Sequence, residues 1–248
     1  VNPVLVHLTK NWEDSLDTGV RPDSIAFDVM QDGKIVDEIT LSKDNWTRDY
    51  YLAAGIVKAD GTTVRTSGHL YSFNEKLGDA DSKKYEITSA STKPMYVNGT
   101  LKEAKTGSYE EFDSNHNVSV GTNTLKGRLE IKKTVETAEG SAPAPADTEF
   151  TINVILNKNG EQIASKYNVY NADGERTVTG STTSEGVKTI TLKANESVVF
   201  DNLDTGTTYT VEEVNIPEGF TNRSIDYSNK VITANHKDVV TVVNDYFR

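Results

Sequence analysis

Cysteine is absent from the 248 residues. That excludes disulfides, thiolate nucleophiles and cysteine-ligated metal. Long apolar runs are missing too: none approaches the ~20 residues needed to cross a bilayer, and no signal peptide opens the chain. A chain that starts at Val1 reads as an excised or mature ectodomain fragment, with no membrane insertion of its own. Clustered basic residues are lacking, and the formal charge is −11. Nucleic acid and anionic membrane are therefore not expected partners, because phosphate binding needs grouped Lys and Arg. The four histidines, His7, His69, His116 and His236, are scattered. No nucleophile elbow, phosphate loop or zinc spacing accompanies them, so an enzyme with turnover is not expected. Asp79-Ala80-Asp81 and Glu13-Asp14…Asp17 are rich in oxygen ligands. Neither sits in a loop like that of calcium sensors, and both read as solvated charge. No cofactor and no metal are expected.

Amphipathic helical windows are scarce as well. What is present is Val, Ile, Thr and Tyr, with recurring Asp-Gly and Asn-Gly turns, which is an all-β composition. The length allows one or two domains. The stretch 123–133 divides them, giving domains at 1–126 and 127–248 with little slack around 125–128. That short link predicts an end-to-end arrangement of limited flexibility.

In the first domain, Val6, Leu8 and Lys10 share one strand face by period-two alternation. Strands are expected over 24–30, 35–41 and 46–52, with Asp32-Gly33 turning the first pair. The span 53–68 reads as a loop or a small hairpin around Asp60-Gly61. Residues 69–77 place Tyr71, Phe73 and Glu75 on one face, putting a carboxyl group among aromatics. Strands at 85–90 and 93–97 precede the Asn98-Gly99 turn, and 101–117 is too polar to assign. Val118 and Val120 alternate out of phase with Asn123, and a bulge at Gly121 would restore the register.

The second domain is cleaner. Leu129, Ile131 and Lys133 share a face, as do Phe150, Ile152, Val154 and Leu156. A loop over 138–147, a turn at Asn159-Gly160 and strands at 166–170, 187–192 and 197–200 follow. Tyr209, Val211 and Glu213 then line one face of a strand, and Val240, Val242 and Asn244 line the last.

One order recurs: an inward Lys on the first strand, an inward Glu late in the domain, and an Asn on the last strand. The sets are Lys10, Glu75, Asn123 and Lys133, Glu213, Asn244, with Lys-to-Asn intervals of 113 and 111 residues and each Glu four residues after a Tyr. An inward lysine is costly unless it is used or neutralised. Desolvation makes an amine a nucleophile and keeps a proton on a carboxyl group. A neutral acid can then polarise the Asn carboxamide while the amine attacks it, and an amide forms with loss of ammonia. The Glu acts as proton shuttle. Each domain would react once, on itself, without turnover. The bland alternative is snorkelling lysines, surface glutamates and turn asparagines.

At these residues the chain resembles a known group. Residues 4–77 resemble the B-type repeat domains of Gram-positive collagen adhesins (Cna-B). The matching features are the Thr9-Lys10-Asn11-Trp12 opening, Arg21-Pro22-Asp23-Ser24-Ile25, Asn45-Trp46-Thr47 and Tyr71-x-Phe73-x-Glu75. Residues 128–247 resemble streptococcal-type pilin backbone domains, through Leu129-Glu130-Ile131-Lys132-Lys133, Asn202-Leu203-x-x-Gly206-x-x-Tyr209-x-Val211-x-Glu213 and Val242-Val243-Asn244-Asp245-Tyr246. The resemblance implies two tandem immunoglobulin-like (Cna-B or reverse-immunoglobulin type) β-sandwiches. It also implies intramolecular isopeptide bonds Lys10–Asn123 and Lys133–Asn244, with Glu75 and Glu213 as proton shuttles. The match lapses over 78–117, which makes Asn117 an alternative to Asn123. The implied role is the stalk or shaft of a bacterial cell-surface adhesin or pilus subunit, extracellular and anchored to the wall through other parts of the parent protein. Neighbouring domains of the same protein or pilus would be its partners, and the fragment itself a monomer. No sorting signal or pilin-type linkage motif is visible. The rival role is a ligand-binding adhesin module, recognising a host matrix protein or glycan through 53–70 and 91–117, with Tyr96 and Tyr109 as contact candidates.

Overall fold

The structure, a computed structural model, describes residues 3–31, 34–54, 56–57, 64–65, 71–90, 96–97, 100–101, 116–182 and 189–248. The expected turns at Asp32-Gly33, Asp60-Gly61 and Asn98-Gly99, His69, Tyr109 and most of the two long loops lie outside the described residues. The chain divides into two compact units, Val1–Thr124 and Leu125–Arg248.

In the first unit one sheet has the order Thr47–Ala54, Pro3–Glu13, His116–Leu125, Tyr85–Ala90. The other has the order Lys34–Ser42, Ser24–Gln31, Tyr71–Lys76. Alternation along each strand turns one side inward. Val6, Leu8, Val118 and Val120 from the first sheet pack against Ile25, Phe27, Val29 and Phe73 from the second. That is a two-layer β-sandwich, as period-two patterning with one wet face requires. Trp46, which the alternation assigns to a strand, instead closes a turn at φ 56, and the strand starts at Thr47. The Trp46 carbonyl accepts from the Lys10 amide at 2.8 Å, which anchors the backbone at Lys10. Asp79–Ser82 is a single helical turn.

The first strand pairs in parallel with the last. Thr9 faces Ser119, but Asn11 faces Thr122, so the last strand carries an extra residue opposite Lys10. Gly121 sits there at φ 114, a conformation glycine adopts and side-chain-bearing residues resist. The expected bulge is therefore present, and it moves the buried phase from Val118 and Val120 to Asn123 and Leu125.

The second unit repeats the plan with wider sheets. One has the order Arg176–Ser181, Lys166–Tyr170, Ser197–Leu203, Gly127–Thr137, Lys237–Tyr246, Phe220–Tyr227. The facing sheet centres on Phe150–Lys158, flanked by Thr189–Leu192, Glu161–Gln162 and Thr208–Val214. Leu129, Ile131, Ile152, Val154, Leu156, Phe200, Val240 and Val242 form the core between them. Asn159-Gly160 turns with both φ angles positive, 52 and 79, as a tight hairpin needs. First and last strands are again parallel neighbours, in uninterrupted register from Arg128↔Lys237 to Thr137↔Tyr246. Arg176–Ser181 and Phe220–Tyr227 are strands that the alternation does not reveal; they form the two edges of the wide sheet.

Candidate functional site

The first unit brings Lys10, Glu75 and Asn123 together. Lys10 and Asn123 come from adjacent strands of one sheet, and Glu75 reaches across from the other. Lys10 Nζ donates to Asn123 Oδ1 at 2.7 Å and lies 3.1 Å from Glu75 Oε1. Asn123 Nδ2 donates to the same Glu75 oxygen at 3.0 Å. The side chains of Lys10 and Glu75 are 0% and 5% exposed. Burial pushes the Lys10 ammonium below its usual value, while the charge and hydrogen bond of Glu75 oppose that shift. Glu75 Oε2 is buried with no hydrogen-bond partner among the described residues. Asn117, the alternative partner, is exposed and stands opposite His7.

Trp12 stacks on the lysine of this trio, with Lys10 Nζ 5.3 Å from its ring centroid. The same ring meets a polar cluster that alternation does not reveal, with Arg21 Cζ 5.5 Å from its centroid. Arg21 holds Asp14 through two bonds of 2.6 Å, and the Tyr85 hydroxyl donates to Asp14 at 2.9 Å. Asp14 is thus committed to Arg21 and Tyr85. Among the described residues no group of three or more His, Asp or Glu side chains is arranged to hold a metal ion.

The second unit draws the same residue types from equivalent strands. Lys133 and Asn244 are both fully buried. Asn244 Nδ2 donates to Glu213 Oε1 at 2.5 Å. Lys133 Nζ lies 4.3 Å from the Phe150 ring centroid and donates to the carbonyls of Thr134 (2.9 Å) and Val242 (3.2 Å). The structure thus joins Glu213 to Asn244 and turns the Lys133 ammonium toward the backbone. Burial lowers the Lys133 pKa to about 8, and the Glu213 charge opposes it. In both units the Glu oxygen meets the Asn amide nitrogen, the atom that would leave as ammonia. Asn222 joins this group, donating to Glu213 Oε2 at 2.9 Å and to Asn244 Oδ1 at 3.2 Å. Alternation misses Asn222 because its inward position depends on a bulge at Arg223: Asn222 pairs with Asn244 while Ser224 pairs with Val243.

Residues 6–107 match the Cna protein B-type domain. The B-type match holds Lys10 and Glu75 and ends before Asn123. Residues 127–246 match a domain of unknown function (DUF7601), which holds Lys133, Glu213, Asn222 and Asn244. No curated protein matches the chain. Among solved structures, the major pilin of Streptococcus pyogenes is 14% identical, with all of both chains covered and a TM-score of 0.44. The T3.2 major pilin of the same organism is 16% identical, at 98% and 97% coverage and a TM-score of 0.42. The pilus-presented adhesin Cpa is 15% identical over 73% of this chain and 37% of its own, with a TM-score of 0.39. No helix among the described residues is long and apolar enough to cross a membrane.

Proposed function

We propose that this chain is a structural segment of a Gram-positive cell-surface protein, a stalk or pilus-type shaft, whose two units each form one Lys–Asn amide within themselves. The pairs are Lys10–Asn123 and Lys133–Asn244, with Glu75 and Glu213 as proton relays. The observation that carries this reading is the buried contact of amine, carboxyl and carboxamide between 2.7 and 3.1 Å in the first unit. The cell surface, wall attachment through other parts of the parent protein, and neighbouring domains as partners belong to the same proposal. The chemistry is a single event per unit rather than turnover.

The steps balance on these atoms. One proton moves from the Lys10 ammonium to Glu75 Oε1 across 3.1 Å, and the burial that lowers the Lys10 pKa helps release it. The Nζ lone pair attacks Asn123 Cγ, and the carbonyl electrons move onto Oδ1. Once Cγ is tetrahedral, Nδ2 is no longer conjugated and its lone pair can accept. Glu75 gives its proton to Nδ2, 3.0 Å away, and takes one from Nζ. The Cγ–Nδ2 bond breaks, ammonia leaves, and an amide joins the two strands. In the second unit the Lys133 amine must first swing from the Thr134 and Val242 carbonyls to Asn244. By analogy with disulfides, closing a loop of this length contributes about 4 to 5 kcal/mol through the unfolded state.

Intact mass tests the reading. Each bond removes one ammonia, about 17 Da. The unaltered chain should lack two ammonias, and Glu75→Ala or Glu213→Ala should each lack one. A full, unmodified mass would sink the cross-linking reading. A single loss abolished only by Glu213→Ala would remove it from the first unit.

A further inference from the structure

We propose that Asn222 is a catalytic residue of the second unit, the donor that stabilises the oxyanion formed on Asn244. This rests on the cross-linking reading above and deepens it. Three side chains close a ring: Asn244 Nδ2 donates to Glu213 Oε1, Asn222 Nδ2 donates to Glu213 Oε2, and Asn222 Nδ2 also donates to Asn244 Oδ1. An amide nitrogen has two hydrogens, one for each of these acceptors. Both carboxamides therefore turn their nitrogens to Glu213, and Asn244 Oδ1 is left facing a donor at 3.2 Å.

That placement matters during attack. As Nζ bonds to Cγ, negative charge collects on Oδ1, and a fixed N–H already aimed at it stabilises the transition state more than the ground state. The donor is held by the fold: Asn222 and Asn244 are register partners, and the bulge at Arg223 turns Asn222 to the Asn244 face. The first unit differs. There Asn123 Oδ1 accepts from Lys10 Nζ itself, and that donor becomes the nucleophile.

The test uses the full chain made by cell-free translation, quenched at intervals and followed by intact mass and peptide mapping. Asn222→Leu keeps the size and removes the donor; Asn222→Asp keeps the shape and presents oxygens only. Each should slow ammonia loss from residues 127–248 by about 100-fold or more, the usual effect of deleting one oxyanion donor. The Lys10–Asn123 bond forms at its normal rate and serves as the internal clock. Trypsin resistance of residues 127–248, measured in a Lys133→Ala background where no bond can form, reads any purely structural cost. Slow reaction in a resistant, folded unit supports the proposal. Normal rates in both variants overturn it while leaving the cross-link in place, as does mapping that finds Lys133 joined to Asn222. Slowness matched by lost trypsin resistance in both variants also overturns it. No ammonia loss from the unaltered second unit ends this inference together with its underlying reading.

Discussion

Asn123 pairs in register with Trp12, two residues beyond Lys10 along the first strand. Asn244 stands in the same relation to Lys133, opposite Val135. Two residues of strand rise ~7 Å, so a side chain joining these positions must lean along the strand. Lysine is long enough to do so. The shared offset places the two units under one geometric rule, although only the second keeps unbroken register between its first and last strands.

The first unit meets that rule through its bulge. Gly121→Ala forces a side-chain-bearing residue into φ 114 and should destabilise the first unit by about 1 to 3 kcal/mol. Trp12 and Trp46, the only tryptophans in the sequence, both lie in this unit, so denaturant unfolding followed by tryptophan fluorescence reads it selectively. The same variant should delay ammonia loss at Lys10–Asn123 and leave Lys133–Asn244 unchanged.

The Asp14 cluster predicts a large effect from a substitution outside the Lys10, Glu75 and Asn123 trio. The Asp14 side chain is 1% exposed and that of Arg21 29%. Arg21→Met strands a buried carboxylate and should cost about 3 kcal/mol, read by the same fluorescence. Tyr85→Phe removes one hydrogen bond to Asp14 and should cost about 1 kcal/mol. Equal effects would contradict this ranking.

Lys133 predicts a pH dependence of definite sign. Its pKa is about 8 in the folded chain against 10.5 as the ordinary value. Between these values the unfolded state holds the proton and the folded state has released it, so stability rises with pH. Below about 8 both states are protonated and the burial penalty is felt in full. Asn244→Ala removes the proposed cross-link partner and leaves Lys133 a free amine. Its unfolding free energy should climb across pH 8 to 10.5 relative to Asn244→Ala/Lys133→Met. A flat difference would show that Lys133 carries no such penalty.

Gly127 admits no side chain. A Cβ there would lie 2.3 Å from Ile232 Cγ2 and 2.7 Å from the Thr233 carbonyl oxygen. Gly127→Ala should destabilise the second unit by about 1 to 3 kcal/mol, visible as faster amide exchange at Leu129 and Ile131.

Much of this arrangement was legible from alternation. Period two turns Lys10, Lys133, Glu75, Glu213 and Asn244 inward because each shares a face with buried aliphatic or aromatic residues. Asn123 was legible only with a bulge, and Gly121 marks it. Trp46 departs from the strand that alternation assigns it because its backbone closes a turn at φ 56. Arg176–Ser181 is not legible in the sequence because an edge strand exposed on nearly every residue has no apolar rhythm to read. Asn222 is not legible for another reason: its orientation is set by the extra residue at Arg223, and a bulge without glycine leaves little trace in sequence.

In each unit the last strand docks directly beside the first, so the proposed cross-link partners are separated in sequence by almost the whole length of the unit. Neither lysine can meet its asparagine until that final strand has been made and has found its place. A chain interrupted before Asn244 would keep Lys133 unlinked, and the proposed bond would become a record of completed synthesis. Because the amino-terminal unit emerges first, Lys10 and Asn123 can meet while Asn244 has yet to be added. The two closures would then follow the direction of translation, each sealing a finished unit while the next remains an open chain.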